Sequence, residues 1–385
     1  MTLTLIAFLT LGVWLYLIAV RGGFWMAAER DDRDEPAAPA DWPAVIAVIP
    51  ARDEAETIGQ TIGSLLRQDY PGRLSVILVD DDSRDGTAAI ARDAAARLNA
   101  EARLTVMPGQ PLPPGWTGKL WALRQGIEAA ETRDPDYLLL TDADITYAPD
   151  ALRKLVARAA SQGTVLTSLM AKLNCESFAE KLLVPAFIFF FQMLYPFTWT
   201  NRPDHRTAAA AGGCMLLRPD ALRAAGGIGA IRGALIDDCS LAQKMKRQGP
   251  IWLGLTDRVH SIRPYPRLDD IRRMVVRSAY AQLRFSPLLL AGTIVGMAVT
   301  YLAAPLLTFF ASGIAQVMGL FVWILMALAF VPVLRFYRLS PLWSIALPVI
   351  AAIYMAFTLD SAYQHWRGRG GVWKGRVQAH LSEQP

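Results

Sequence analysis

Three groups of carboxylates punctuate the middle of this 385-residue chain. They are Asp80, Asp81 and Asp82; Asp142 and Asp144, separated by one alanine; and the adjacent Asp237 and Asp238. Any one group has an ordinary explanation, because Asp favours helix N-caps and turns through its short acceptor side chain. Two of the groups, however, directly follow an apolar run, and gathered like charges need a compensating partner. A hard divalent cation that keeps water and bridges substrate phosphates meets that need. Alternate residues of an extended segment share one side, so Asp142, Asp144 or both can reach such an ion.

The elements that hold these residues read as alternating strands and helices. Residues 45–49 are a short apolar run ending at Pro50, the pattern of a buried strand. Ile58, Ile62, Leu65 and Leu66 then recur at helical spacing before a turn at Tyr70, Pro71 and Gly72. Further strands are expected at 74–79, 104–107 and 137–141, with an Ala-rich helix at 87–98. The alternation predicts an α/β fold, a mostly parallel sheet with helices on both faces. Ligands of such sheets sit outside the carboxyl ends of the strands, where the first two carboxylate groups fall. Asp237 and Asp238 follow the short run Ala234, Leu235 and Ile236.

Composition describes the surroundings. Hydrophobic residues make up 53% and charged residues 19%, which excludes a disordered or collagenous chain and is greasier than an ordinary soluble domain. A net charge of +5 is too mild for a nucleic-acid binder; beside membrane segments it fits cytoplasmic flanks facing anionic lipid. Cys175, Cys214 and Cys239 show no C-x-x-C spacing, which suggests a reducing compartment and no metal knuckle. Residues 2–20 carry no charge and are long enough to cross a bilayer. They lack the basic start and small-residue cleavage site of a signal peptide, so 1–25 reads as a retained anchor. A charged, Pro/Ala-rich linker is expected at 29–41, an α/β domain at 42–284, and membrane helices at 285–363. Within the last region 285–334 has room for two spans and 339–359 for a third. The tail 364–385 is basic and aromatic, suiting a membrane–water interface. Four crossings would place that tail opposite the domain, against the positive-inside tendency, so a re-entrant or interfacial C-terminal segment is the competing topology. Residues 182–201 are uncharged but contain Pro185 and Pro196 and lie between carboxylate motifs. A full crossing would separate those motifs, so this segment reads as interfacial or re-entrant. Residues 269–284 read as a basic amphipathic surface helix, with Ile271, Met274 and Val275 flanked by Arg272, Arg273 and Arg277.

In this order and on these elements, IPARDE at 49–54, VDDDSRDGT at 79–87, TDAD at 141–144, GGCM at 212–215 and IDD at 236–238 resemble the motifs of the family 2 glycosyltransferases, which have the nucleotide-diphospho-sugar (GT-A) fold. With GWTGK at 115–119 and WKGR at 373–376, the architecture is most similar to the hopene-associated glycosyltransferases. Ceramide glucosyltransferases and polyprenyl-phosphate sugar transferases are more distant. The resemblance implies that Pro50, Arg52 and Glu54 line the nucleotide pocket and that Asp81 accepts from a uracil N–H. It implies that Asp142 and Asp144 are the DxD pair holding Mg²⁺ or Mn²⁺ on the diphosphate. It also implies that Asp238 is the general base of an inverting transfer. Asp237 stands where the family usually has Glu, and the Gln/Arg-x-x-Arg-Trp motif of processive synthases is absent near 273–280.

The chemistry is coherent without the family name. A metal stabilises the charge that develops on a departing diphosphate, and a carboxylate on the opposite face takes the proton of an attacking hydroxyl. Lys119, near a helix start, is read either as a phosphate contact or as a surface lysine. Gly212 and Gly213 permit close approach of donor or acceptor, or form a plain turn. His260 reads as structural. Phe187, Phe189, Phe190 and Phe191 read as packing residues, with a lipid-acceptor groove as the alternative. Asp80 and Asp82 read as turn and cap residues. The function these readings imply is a multi-pass enzyme of the bacterial inner membrane with a cytoplasmic catalytic domain. It moves sugar from a nucleotide donor, a UDP-sugar, to a hopanoid-related lipid hydroxyl, with no nucleic-acid partner. The alternatives are transfer to a polyprenyl phosphate and, in a different class, a nucleotide-sensing membrane scaffold.

Overall fold

Both sides of the first strand are buried. Val45, Ala47 and Ile49 feed one apolar core, and Ile46 and Val48 feed another. That alternation is the period-2 pattern of a strand covered on both faces. The computed structural model describes residues 2–369, 372–373 and 376–377. They form two units, one built mainly from residues 29–174 and 199–263 and the other from the segments up to 28, 175–198 and 264–372. Beyond residue 369 the expected basic tail lies almost entirely outside the described residues.

The first unit contains an eight-stranded sheet. Its strands are β1 (Val45–Ala51), β2 (Leu74–Asp80), β3 (Leu104–Pro108), β4 (Tyr137–Thr141), β5 (Ile145–Tyr147), β6 (Leu166–Lys172), β7 (Cys214–Leu217) and β8 (Ile251–Ser261). They lie in the order β3-β2-β1-β4-β7-β6-β8-β5. The β3-β2-β1-β4 half is parallel, as is the β6–β8 pair. β7 runs antiparallel to both its neighbours, and β5 antiparallel to β8. The sheet is therefore mixed, with parallel pairings in the majority as expected. Helical crossovers enforce parallel pairing only between the strands they join, and β7 is entered after the excursion at 175–198.

One face is covered by Ile58–Leu66, which buries Ile58, Ile62 and Leu65. The other is covered by Gly118–Glu131, which buries Leu120, Leu123 and Ile127. On the latter helix Gly126 allows a close approach to the sheet: a Cβ there would lie 2.4 Å from Val48 Cγ1 and 3.0 Å from Val79 Cγ2. Gly126→Ala is expected to cost about 1–3 kcal/mol through overpacking, outweighing the ~1 kcal/mol that alanine gains in helix propensity. Thermal melting in detergent checks this, and an unchanged melting temperature would contradict it.

The stretch expected as a linker, 29–41, is pinned to the sheet. Arg30 bridges to Leu255, and Asp31 is 5% exposed. The Asp31 carboxylate accepts from Thr256 Oγ1 at 2.7 Å and pairs with Arg258 at 3.3 Å, while Asp34 pairs with the buried Arg158. Acidic residues of the expected linker find complementary cations here.

The second unit is helical. Among the described residues four helices are long and apolar enough to cross a membrane: Thr2–Ala19, Pro287–Phe310, Ile314–Phe336 and Pro341–Trp366. Trp14 Nε1 and Thr10 Oγ1 donate to the carbonyls of Thr300 and Val299, within a π-helical turn at Ala298–Leu302. The helix Phe178–Leu194 has 17 residues and begins in a capping box between Ser177 and Glu180. It is not one of the four. Its Phe189 packs on Phe330 at 5.3 Å, and its Phe190 packs on Tyr301 and Tyr354 at 5.5 and 5.1 Å. Arg21 caps its C-terminus by donating to the carbonyls of Met193 and Leu194. The basic amphipathic element appears as two pieces, Leu268–Val276 and Ala279–Gln282, with Ile271 and Val275 buried. Residues 175–198 and 264–284, read above as part of the α/β domain, pack in this unit.

Candidate active site

The loops after β1 and β2 are stitched together. Asp53 N donates to Ser83 Oγ at 2.9 Å, Glu54 N to Thr87 Oγ1 at 2.8 Å and Ala55 N to Asp85 Oδ2 at 2.9 Å. Asp80 accepts from Ser83 N at 3.1 Å, which is turn geometry. Asp81 is buried, and Arg52 donates to its carbonyl and lies 3.6 Å from its carboxylate. Pro50 sits within β1 opposite Val79. Arg52 and Asp81 thus meet at the ends of adjacent parallel strands, as expected for a ligand pocket in such a sheet.

A second constellation forms where β4 ends. Thr117 caps the helix Gly118–Glu131, its hydroxyl accepting from Leu120 N, and so places Lys119 in the first turn. Lys119 Nζ forms ion pairs with Asp142 Oδ1 at 2.9 Å and with Asp237 Oδ2 at 3.0 Å. Asp237 and Asp238 open the helix Asp237–Met245; they do not end a strand, because Ala234 to Ile236 are an irregular, bent stretch. Asp238 Oδ2 accepts from Gly212 N at 3.0 Å and Oδ1 from Cys239 N at 2.7 Å. A Cβ on Gly212 would lie 3.4 Å from Lys119 Nζ and 3.5 Å from Asp238 Oδ2, so this glycine lies beside both groups. Gly213 packs on Ile145, and its carbonyl accepts from Thr141 Oγ1 at 2.8 Å.

Asp144 belongs to a third group. Arg263, two residues beyond β8, donates from Nε to Asp144 Oδ2 at 2.8 Å and from Nη2 to Glu54 Oε2 at 2.6 Å. Ile262 N donates to the Asp144 carbonyl at 2.9 Å, and Thr61 Oγ1 fixes the intervening Ala143 carbonyl at the same distance.

Electrostatics separates the two adjacent acids. Burial, and next the Asp237 carboxylate, push Asp238 up to about 6, against the opposing pull of Lys119 and the two backbone N–H donors. Burial works against the Lys119 charge, but Asp142 and Asp237 outweigh it and hold the ammonium above its usual range. Burial also raises Asp142, with Lys119 opposing. For Arg263, burial is outweighed by Asp144 and Glu54, and its value rises.

The structure therefore brings Lys119, Asp142, Gly212, Asp237 and Asp238 together, joins Glu54 to Asp144 through Arg263, and joins Arg52 to Asp81. His260 stands apart, with Nε2 2.9 Å from the Asp257 carbonyl. Sequence reasoning missed Arg263, one of two arginines between β8 and the next helix, with no motif to mark it. Among the described residues no set of three or more His, Cys, Asp or Glu side chains is arranged to hold a metal. A divalent ion would accordingly draw on Asp142 and Asp144, with water and phosphate oxygens completing its shell.

This sheet order and these helical layers form the GT-A glycosyltransferase fold. The mannosyltransferase of Pyrobaculum calidifontis, solved in complex with GDP-Man and Mn²⁺, superposes with a TM-score of 0.56 over 94% of this chain and 99% of its own, at 17% identity. The family model for glycosyl transferase family 2 matches residues 46–226, and that for glycosyl transferase family group 2 matches residues 137–358, more than half of the chain. The chain belongs to glycosyltransferase family 2. An N-acetylglucosaminyltransferase of Rhizobium leguminosarum bv. viciae is 28% identical over 144 residues, 37% of this chain and 32% of the relative. A 4,4'-diaponeurosporenoate glycosyltransferase of Staphylococcus aureus (strain MRSA252) is 34% identical over 122 residues, 31% of this chain and 29% of the relative. The chain thus spans about a third of the length of the curated relatives it matches.

Proposed function

We propose that the protein transfers a sugar from a nucleotide-diphospho-sugar, a UDP-sugar, to a lipid hydroxyl by inverting displacement. The observation that carries this reading is the division of labour between the two adjacent acids. Asp237 is committed to Lys119, whereas Asp238 is held by backbone N–H groups, with burial keeping its proton affinity high. Such a carboxylate suits a general base at neutral pH. The acceptor oxygen attacks the anomeric carbon, its proton passes to Asp238, and the bond from that carbon to the phosphate oxygen breaks to release the nucleoside diphosphate. No acid is needed for a leaving group that departs as an anion.

Arg52, Glu54 and Asp81 hold the nucleotide in this reading, and Lys119 faces the diphosphate. Asp142 and Asp144 hold Mg²⁺ or Mn²⁺, which when bound supplies Lewis-acid stabilisation of the departing diphosphate. The charge balance supports the ion. Among the described residues Lys119 pairs with Asp142 and Asp237, and Arg263 with Glu54 and Asp144, so a metal ion would add positive charge that favours an anionic donor. Gly212, Gly213 and Asp237 lie on the acceptor side.

The four apolar helices support a multi-pass protein whose acceptor is a membrane lipid. Resemblance to the hopene-associated enzymes makes a hopanoid-related alcohol the first choice. Nucleotide sugars are made in the cytoplasm, which puts the catalytic unit on that face of the bacterial inner membrane. A polyprenyl-phosphate acceptor is the alternative, since a phosphate needs no base. The test is nucleoside-diphosphate release by detergent-purified protein with Mn²⁺, a panel of nucleotide sugars, and either hopanoid alcohols or polyprenyl phosphates. Release stimulated by the alcohols is expected. Stimulation by the phosphates alone would move the acceptor to that class, and donor binding without release would point to a nucleotide sensor.

A further inference from the structure

Arg263 ties together the loops that follow three different strands. Its guanidinium spans Glu54, after β1, and Asp144, after β4, while its own backbone continues from β8. Both carboxylates are well covered, with side chains 10% and 15% exposed, whereas the arginine is 31% exposed. Each acid is also fixed from behind. Thr57 Oγ1 donates to Glu54 Oε2 at 3.2 Å, and the Asp144 backbone is held by Ile262 N at 2.9 Å. A planar fork is the side chain that can serve two carboxylates at once; a lysine presents a single point charge. The oxygen that accepts from Arg263 Nε belongs to one of the two carboxylates available to a divalent ion, so guanidinium and ion compete for the same charge.

We infer that Arg263 is a positioning residue: the internal counter-ion of Asp144 in the donor-free protein, which weakens metal binding there and couples it to occupancy of the nucleotide pocket through Glu54. This rests on the reading of Asp144 as a metal ligand. When a nucleoside diphosphate enters, its phosphate oxygens offer the guanidinium other acceptors, so Arg263 can yield Asp144 without losing a partner. Metal and nucleotide then favour each other's binding, and by linkage the effect is reciprocal. The device keeps a crowded set of carboxylates from capturing a divalent ion before the donor arrives.

Mn²⁺ titration of the full-length protein in detergent, followed by the electron paramagnetic resonance of the free ion with and without UDP, tests this. Arg263→Met is expected to bind Mn²⁺ about tenfold more tightly than the parent without nucleotide, because a competing unit charge is gone. Its affinity gain on adding UDP should shrink towards one. Arg263→Lys retains the charge and should stay within about threefold of the parent without nucleotide. A residue that merely supported the fold would loosen Mn²⁺ binding when removed, so the sign separates the two roles. If Arg263→Met fails to fold by thermal melting, Arg263→Gln, neutral but still a donor, carries the same expectation. An unchanged or weaker Mn²⁺ affinity in the folded neutral variant overturns the inference. Asp144→Asn distinguishes that failure from a deeper one: if it binds Mn²⁺ as the parent does, the metal reading falls and the inference with it. If it loses Mn²⁺ while the neutral Arg263 variant shows no gain, the role of Arg263 alone falls.

Discussion

Asp238→Asn is expected to lower kcat/KM for transfer to a lipid hydroxyl by about 10²–10⁴-fold with donor binding retained. Asn has the same shape and keeps an oxygen for one of the backbone donors, Gly212 N or Cys239 N. The other N–H loses its acceptor, at about 1–3 kcal/mol, but at neutral pH this is offset by relief of a buried charge. An acid whose proton affinity is raised on folding disfavours the folded state once pH exceeds its unfolded value, and a neutral amide removes that cost. The melting temperature at pH 7 should therefore stay close to that of the parent. In the parent, kcat/KM should fall about tenfold per pH unit below the limb set by Asp238, which is placed at about 6. The sign follows from the role, because a base is inactive once protonated. The residual activity of Asp238→Asn should lack that limb. With an acceptor phosphate, already an anion, the substitution should cost little, so comparing the two acceptor classes separates them.

The second large effect is expected at the DxD pair. Asp144→Ala removes a carboxylate that also anchors Arg263, leaving the guanidinium on Glu54 alone. Loss of several kcal/mol of charge stabilisation corresponds to about 10²–10³-fold in activity, with metal-dependent donor binding weakened in parallel. Asp142→Asn should act differently. Lys119 would keep only Asp237, so donor positioning is disturbed even where metal binding survives. Calorimetric titration of UDP with and without Mn²⁺ reads both. Metal dependence that persists unchanged in Asp144→Ala would remove that residue from the metal site.

The parallel half of the sheet was legible because each of β1 to β4 is a short apolar run next to a helix with its own period, Ile58, Ile62 and Leu65 being the plainest. The mixed half was not. β7 is four residues long and β5 three, and neither alternates for long enough to be distinguished from the surrounding alanine- and glycine-rich loops. Asp142 and Asp144 could be singled out because they follow a clean strand. Asp237 and Asp238 were noticed for their charge, but their place at the start of a helix was hidden by the apolar run before them. Lys119 meets Asp142 and also Asp237, the latter more than a hundred positions away, and no local pattern encodes that meeting. Arg263 escaped for the same reason: its meaning lies in the two distant acids it spans. Residues 29–41 read as a linker from their charge and Pro/Ala content, a local pattern that does not show Arg158 and Arg258 opposite Asp34 and Asp31.

The central claim is sugar transfer to a membrane lipid, and following the sugar tests it most directly. Detergent-purified protein would receive a radiolabelled UDP-sugar, Mn²⁺ and a hopanoid alcohol, and the label would be counted in the organic phase after a single extraction. Label entering that phase with time, in proportion to acceptor and slowed by about 10²-fold or more in Asp238→Asn, is the predicted result. Label that stays in water, as intact donor or as free sugar, would contradict the account.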